Sequence, residues 1–207
     1  MTTKEKIDLF KLHKNGDYAT PKKPMLVDIK RATYLTIEGK GAPGGEEFAA
    51  KIGALYGVAY TIKMTRKFDG RQDYVIGKLE AQWWVEGGQS DLAKVPKDRW
   101  QWRMMIRTPD FVGQDELKQA VSALLDKGKD PEVRDVKLEP LAAGQCVQML
   151  HVGPYEKEGE TIAKMTAFAE KEGLETHGRH HEVYLSDPRR VPPERLKTIL
   201  RLPARQK

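Results

Sequence analysis

Residues 77–88 read GKLEAQWWVEGG, which puts a carboxylate, Glu80, inside a predicted strand and follows it with two tryptophans, Trp83 and Trp84. Side chains alternate across a strand, so Lys78, Glu80, Gln82 and Trp84 share one face and Leu79, Ala81 and Trp83 the other. A second predicted strand of this kind lies in RHHEVYLSDP, residues 179–188. There His180, Glu182, Tyr184 and Ser186 share a face opposite His181, Val183 and Leu185. In both strands the glutamate's face carries an aromatic, and the other face is mainly apolar. The apolar faces are therefore expected against helices, and the acid-and-aromatic faces are expected to line the concave side of a sheet.

Outward from these strands the chain repeats an order of elements. In the first half a strand over ATYLTIEGKG (32–41) carries Gly39. A helix over 46–64 follows, with Glu47 near its start and Phe48, Ile52, Leu55 and Ala59 at helical spacing. Next come the strand with Glu80 and a strand over WQWRMMIRTP (100–109), separated by a loop over 87–98. After an amphipathic helix over 113–128 the order begins again. A strand over LAAGQCVQMLHVG (141–153) ends at Gly153, and a helix from Pro154 to Gly173 carries Glu160. The strand with Glu182 and a last strand over RLKTILRLPA (195–204) complete it. Ile106-Arg107 and Pro109 then match Leu200-Arg201 and Pro203.

Such self-similarity predicts an internal duplication, with pseudo-repeats over about residues 25–110 and 140–205. The fold class expected is α+β: duplicated strand-helix-strand-strand units pair into one antiparallel sheet. Two long helices lie on one face, and a ligand cleft runs between the halves. An N-terminal arm, 1–24, read as a short solvated helix and an extended entry, precedes the domain over 25–207.

Of the 207 residues, 39% are hydrophobic and 32% charged, which supports a proper core. The single cysteine, Cys146, excludes an intrachain disulfide and reads as a buried small hydrophobe in an apolar strand. No apolar run reaches the roughly 20 residues of a membrane-spanning helix. The N-terminal MTTKEKIDLFKLHKNG lacks the apolar core of a secretory signal. A cytoplasmic monomer is expected. The net charge is +6, but the positive residues are scattered among acids, and no nucleic-acid-binding motif is present. Direct nucleic-acid binding is not expected. His180 and His181 alternate to opposite faces, so neither a metal nor another cofactor is expected.

A carboxyl group partly removed from water has its pKa raised, which suits it to proton transfer near neutrality. Aromatic faces around it attract flat and cationic molecules. Tyr56, Tyr60, Trp100, Trp102 and Tyr155 are further aromatics able to reach such a cleft. An open polar sheet face would show the same alternation, so the pattern alone leaves pocket and solvated face both standing.

Six stretches resemble the GyrI-like small-molecule-binding proteins, over roughly residues 24–205. They are PMLVDIKRATYLTIEGKGAPGGEEF, ALYGVAYTIKM, LEAQWW, WQWRMMIRTPDFV, HVGPYEKEGETIAKM and HHEVYLSDPRRVPPERLKTILRLP. LYGVAYTIKM and LEAQWW point to the stand-alone subgroup. The resemblance implies a duplicated architecture and a buried glutamate on the penultimate strand, Glu182, that meets cationic or polar ligand groups. Glu80 stands in the matching strand of the first half, as the opposite wall of the same cleft. Some stand-alone members look like hydrolases that open the cyclopropane of DNA-alkylating duocarmycin- and yatakemycin-type compounds. On that resemblance Glu182, Glu80 and Tyr155 are the expected catalytic residues. Trp84, Tyr56, Tyr60, Trp100, Trp102, Tyr184 and His180 are the expected contacts to planar lipophilic ligands. A non-catalytic sequestering or sensing module is the alternative, and a protein that binds a partner such as gyrase is another. The short segment before the first strand is too small for a DNA-binding domain, so direct transcriptional regulation is not expected.

Overall fold

The computed structural model describes residues 5–86, 92–129 and 131–207. Part of the loop expected over 87–98, residues 87–91, lies outside them, as do the first residues of the arm, 1–4. Runs of branched and aromatic residues form strands, and the segments with helical periodicity form helices. In chain order these are α1 (Leu9–Leu12), β1 (Met25–Ile29), β2 (Ala32–Lys40), α2 (Glu46–Phe68), β3 (Leu79–Trp84), β4 (Gln101–Thr108) and α3 (Gln114–Asp126). There follow β5 (Lys137–Leu141), β6 (Gly144–Val152), α4 (Glu158–Lys171), β7 (Leu174–Thr176), β8 (His180–Tyr184) and β9 (Lys197–Gln206).

The strands form one antiparallel sheet in the order β1-β6-β9-β8-β3-β4-β2-β5, with β7 added along β9. The duplication is visible in this order. The unit β2-α2-β3-β4 and the unit β6-α4-β8-β9 meet where β3 pairs with β8. The strand before each unit crosses to the other: β1 pairs with β6, and β5 pairs with β2.

All three long helices cover the same face. From α2, Leu55, Val58 and Ile62 join a core with Leu35, Ile37, Met104 and Ile106, to which α3 adds Leu117 and Leu124. From α4, Met165 and Ala169 pack on Val147, Met149 and Leu200. Gly39 on β2 is fixed by this packing, because a Cβ there would overlap the Trp102 ring. Among the described residues no helix is long and apolar enough to cross a membrane.

The centre of the sheet's other face is covered by the arm, which corrects its reading as a solvated segment. Tyr18 is only 2% exposed and donates its hydroxyl to Glu80 Oε1 at 2.7 Å. The repeated arginines explain why the arm stays. Arg107 and Arg201 are buried at equivalent places on β4 and β9, and a buried guanidinium needs acceptors. Asp17 supplies both, its carboxylate to Arg107 at 2.6 Å and its carbonyl to Arg201. Gln148 Nε2 donates to the Ala19 carbonyl at 2.7 Å and fastens the arm to β6.

Candidate functional site

The β3–β8 pairing decides which side chains meet. Ala81 lies opposite Glu182, Trp83 opposite His180, and Glu80 opposite Val183. Directly opposed residues of an antiparallel pair point to the same face. His180, Glu182 and Tyr184 therefore face the helices beside Ala81 and Trp83, whereas Glu80, Gln82 and Trp84 face the arm. The two glutamates are on opposite sides of the sheet, which corrects the expectation that they share a cleft.

A one-residue slip between the repeats is the cause. Arg107 pairs with Tyr34 and Arg201 with Gln148, so Gly39 and Gly153, each five residues further on, superpose as the sequence predicts. Two residues before each arginine, however, Met105 faces Glu80 while Ile199 faces Val183. The structural counterpart of Glu80 is thus Val183, and a slip of one residue moves a side chain to the opposite face.

On the helix side, β8 brings His180, Glu182 and Tyr184 against the start of α4. Glu158 in the first turn of α4 completes the group. One carboxylate oxygen from each of Glu158 and Glu182 and one ring nitrogen of His180 all lie within 4.8 Å of one another. His180 Nε2 is 3.1 Å from Glu182 Oε1. Trp83 Nε1 donates to Tyr184 Oη at 3.3 Å, and the Tyr155 ring stands edge-on to Tyr184 with centroids 5.9 Å apart. Glu158, Glu182 and His180 are almost wholly buried.

The two carboxyls titrate far apart. Burial, and next the repulsion of the Glu182 carboxylate, push Glu158 up to about 9. Burial also acts to raise Glu182, but contacts with His180, Tyr184 and Trp83 outweigh it and hold this carboxyl below the usual carboxylate value. At neutral pH the pair carries one proton, held on Glu158, and one negative charge, held on Glu182. Burial, followed by the charge of Glu158, pushes the Tyr155 phenol up to about 12. Burial and the charge of Glu182 raise Tyr184 well above its ordinary value. Both phenols therefore remain hydrogen-bond donors. The group thus combines a proton donor, a proton acceptor and two neutral donors between aromatic rings.

The GyrI-like small molecule binding domain matches residues 106–205. A crystal structure of an uncharacterized conserved protein from Listeria innocua is 42% identical and superposes with a TM-score of 0.90, covering 97% of this chain and 100% of that one. The chain belongs to the GyrI-like family. A second Listeria innocua structure, described as a hydrolase encoded by lin2189, is 41% identical with a TM-score of 0.87, over 97% of this chain and 100% of that one. The EcmrR C-terminal domain shares the GyrI-like fold alone, at 9% identity and a TM-score of 0.59 over 89% of this chain and 98% of that one. No curated protein matches.

Of the expected GyrI-like site residues, the fold brings together Glu182, Tyr155, Tyr184 and His180. Trp100 stands edge-on to Trp83 at 5.8 Å and donates Nε1–H to the Val95 carbonyl at 2.9 Å. Tyr56 and Tyr60 stand together on α2, centroids 6.2 Å apart, and Tyr60 is half exposed. The Tyr56 phenol is raised by burial and then by Tyr60, and it also feels Arg189 and Asp187 of the β8–β9 loop. Trp102 is sealed in the core beneath Gly39 and edge-on to Phe48 at 5.0 Å, so it offers no ligand wall. Trp84 points to the arm side, where the Arg179 guanidinium lies 3.6 Å above its ring. Glu80 is fully buried there, held by Tyr18, by His181 Nε2 at 2.8 Å and by Arg201 at 3.5 Å.

Sequence reasoning missed Glu158. The acid that the repeat picks out in this helix, Glu160, is exposed. The signal was present in the buried stripe of α4, where Glu158, Thr161, Met165 and Ala169 recur at helical spacing. An acid that continues an apolar stripe inward is the mark of a buried carboxyl.

Proposed function

We propose that this protein hydrolyses the strained cyclopropane of planar, DNA-alkylating cyclopropanoid natural products, with Glu158 as acid and Glu182 as base. The observation that carries the reading is the meeting of these two carboxyls in a buried, aromatic-walled site. The hydrolase description of a relative 41% identical supports the reaction class. In such a substrate the spirocyclopropane is conjugated to a dienone. Glu158 gives its proton to the dienone oxygen while a water oxygen bonds to the cyclopropane methylene. The bond from that methylene to the spiro carbon breaks, and its electron pair makes the ring a phenol. Glu182 takes the proton lost by water, and proton transfer across the pair restores the starting state. The net change is addition of one water.

General acid–base catalysis of this kind contributes ~10²–10⁴-fold, which is useful against a ring already strained. Tyr155 and Tyr184 add hydrogen bonds, and the aromatic faces receive the planar drug. On this reading a monomer works in the cytoplasm on free drug, without a cofactor and without touching DNA. Incubation with a cyclopropanoid drug, followed by mass spectrometry, should yield the water-added, ring-opened product over many turnovers. Protection that stops at one drug per protein, with no product, would replace this reading by sequestration. An ionised Glu182 among aromatic rings already suffices to bind a cation.

A further inference from the structure

His180 gives the buried group a third donor atom, one that neither gives nor takes a proton in the hydrolytic step. Both its ring nitrogens are buried and make no well-formed hydrogen bond, and Nε2 meets Glu182 Oε1 at 3.1 Å as an ion-pair contact. Its side chain is 10% exposed. Glu158 Oε1 is likewise buried and unpartnered, on a residue 7% exposed. Unpartnered buried polar atoms are rare in folded proteins, and here they belong to two residues that each bring a ligand atom within 4.8 Å of one from Glu182.

We infer that Glu158, His180 and Glu182 form a binding site for a divalent transition metal ion, with Zn²⁺ the best fit. One imidazole nitrogen and two carboxylate oxygens are zinc ligands at about 2.0–2.2 Å, and three protein ligands leave the open position of a non-structural site. The nitrogen donor favours zinc over magnesium or calcium, which prefer oxygen shells. The three donors now lie within 4.8 Å of one another, and a turn of the Glu158 carboxyl, whose Oε1 makes no hydrogen bond, closes them around an ion. His181 faces the arm and cannot join His180 as a ligand, but α4 supplies the ligand that His181 cannot. Zinc there would occupy both carboxyls, so metal and cleft ligand exclude one another. The inference shares residues with the hydrolytic reading and does not depend on it.

The test is calorimetric titration of ZnCl₂ into EDTA-treated, desalted full-length protein. One Zn²⁺ per chain is expected, bound at least tenfold more weakly by His180→Gln and by Glu158→Gln, and unchanged in His177→Gln, an exposed histidine outside the cleft. Thermal melting checks that each variant is folded, and either cleft variant alone is sufficient. No saturable binding, equal affinity in His180→Gln, or loss in His177→Gln would overturn the site. Drug turnover in excess EDTA is read separately. Product without zinc binding removes only the metal site, and zinc binding without product removes only the hydrolysis.

Discussion

At the scale of single residues, Glu158 and Glu182 show how position gives one side chain two roles. Both are buried glutamates, yet contacts with His180, Tyr184 and Trp83 keep Glu182 ionised, while Glu158 faces that charge and keeps its proton. A pair of this kind titrates jointly, and its two steps belong to the pair. Turnover should therefore fall as pH rises through about 9, where the acid is lost, and again at low pH as the base is protonated. A rate flat across about pH 7–10 would contradict this. Stability follows the same proton. Between the unfolded value near 4.3 and the folded value of about 9, the folded state binds more protons than the unfolded state, so stability falls as pH rises. Glu158→Gln should flatten that decline in a series of melting curves from about pH 5 to 9. On the other face, Tyr18→Phe takes a donor from the fully buried Glu80 and should cost about 1–3 kcal/mol in urea unfolding.

At the scale of elements, packing between strand and helix sets what each strand face does. Gly39→Ala would drive a methyl into the Trp102 ring on the neighbouring strand, at about 1–3 kcal/mol, measurable as a lower urea midpoint. Much of this level was legible in the sequence. Alternation in LEAQWW and HHEVY placed the strands, and the repeat of Gly39 with Gly153 and Arg107 with Arg201 matches the pairing of the outer strands. The slip at β8 was not legible, because loops of unequal length join β3 to β4 and β8 to β9, and only the ladders fix the register. Glu182 was therefore found, but with Glu80 as its partner. Its real neighbour comes from a helix turn whose stripe continues into an acid.

At the scale of the whole molecule, the duplicated sheet has two unlike sides. The side under the helices holds the carboxyl pair. The other is covered at its centre by the arm, where Asp17 joins the two repeated arginines and Tyr18 seals Glu80. Deleting residues 1–24 should therefore lower the melting temperature, by uncovering Glu80, Arg107 and Arg201 together; an unchanged melt would show that the arm adds no stability. The division also separates the two glutamates that alternation makes look alike. The most direct measurement is the rate of water-added product from a cyclopropanoid drug with Glu182→Gln and Glu80→Gln, corrected for folded fraction. Glu182→Gln should lose turnover by ~10²–10⁴-fold while still binding drug, and Glu80→Gln should keep it per folded molecule. Undiminished turnover in Glu182→Gln, or equal loss in both, would contradict a catalytic pair on the helix side of the sheet.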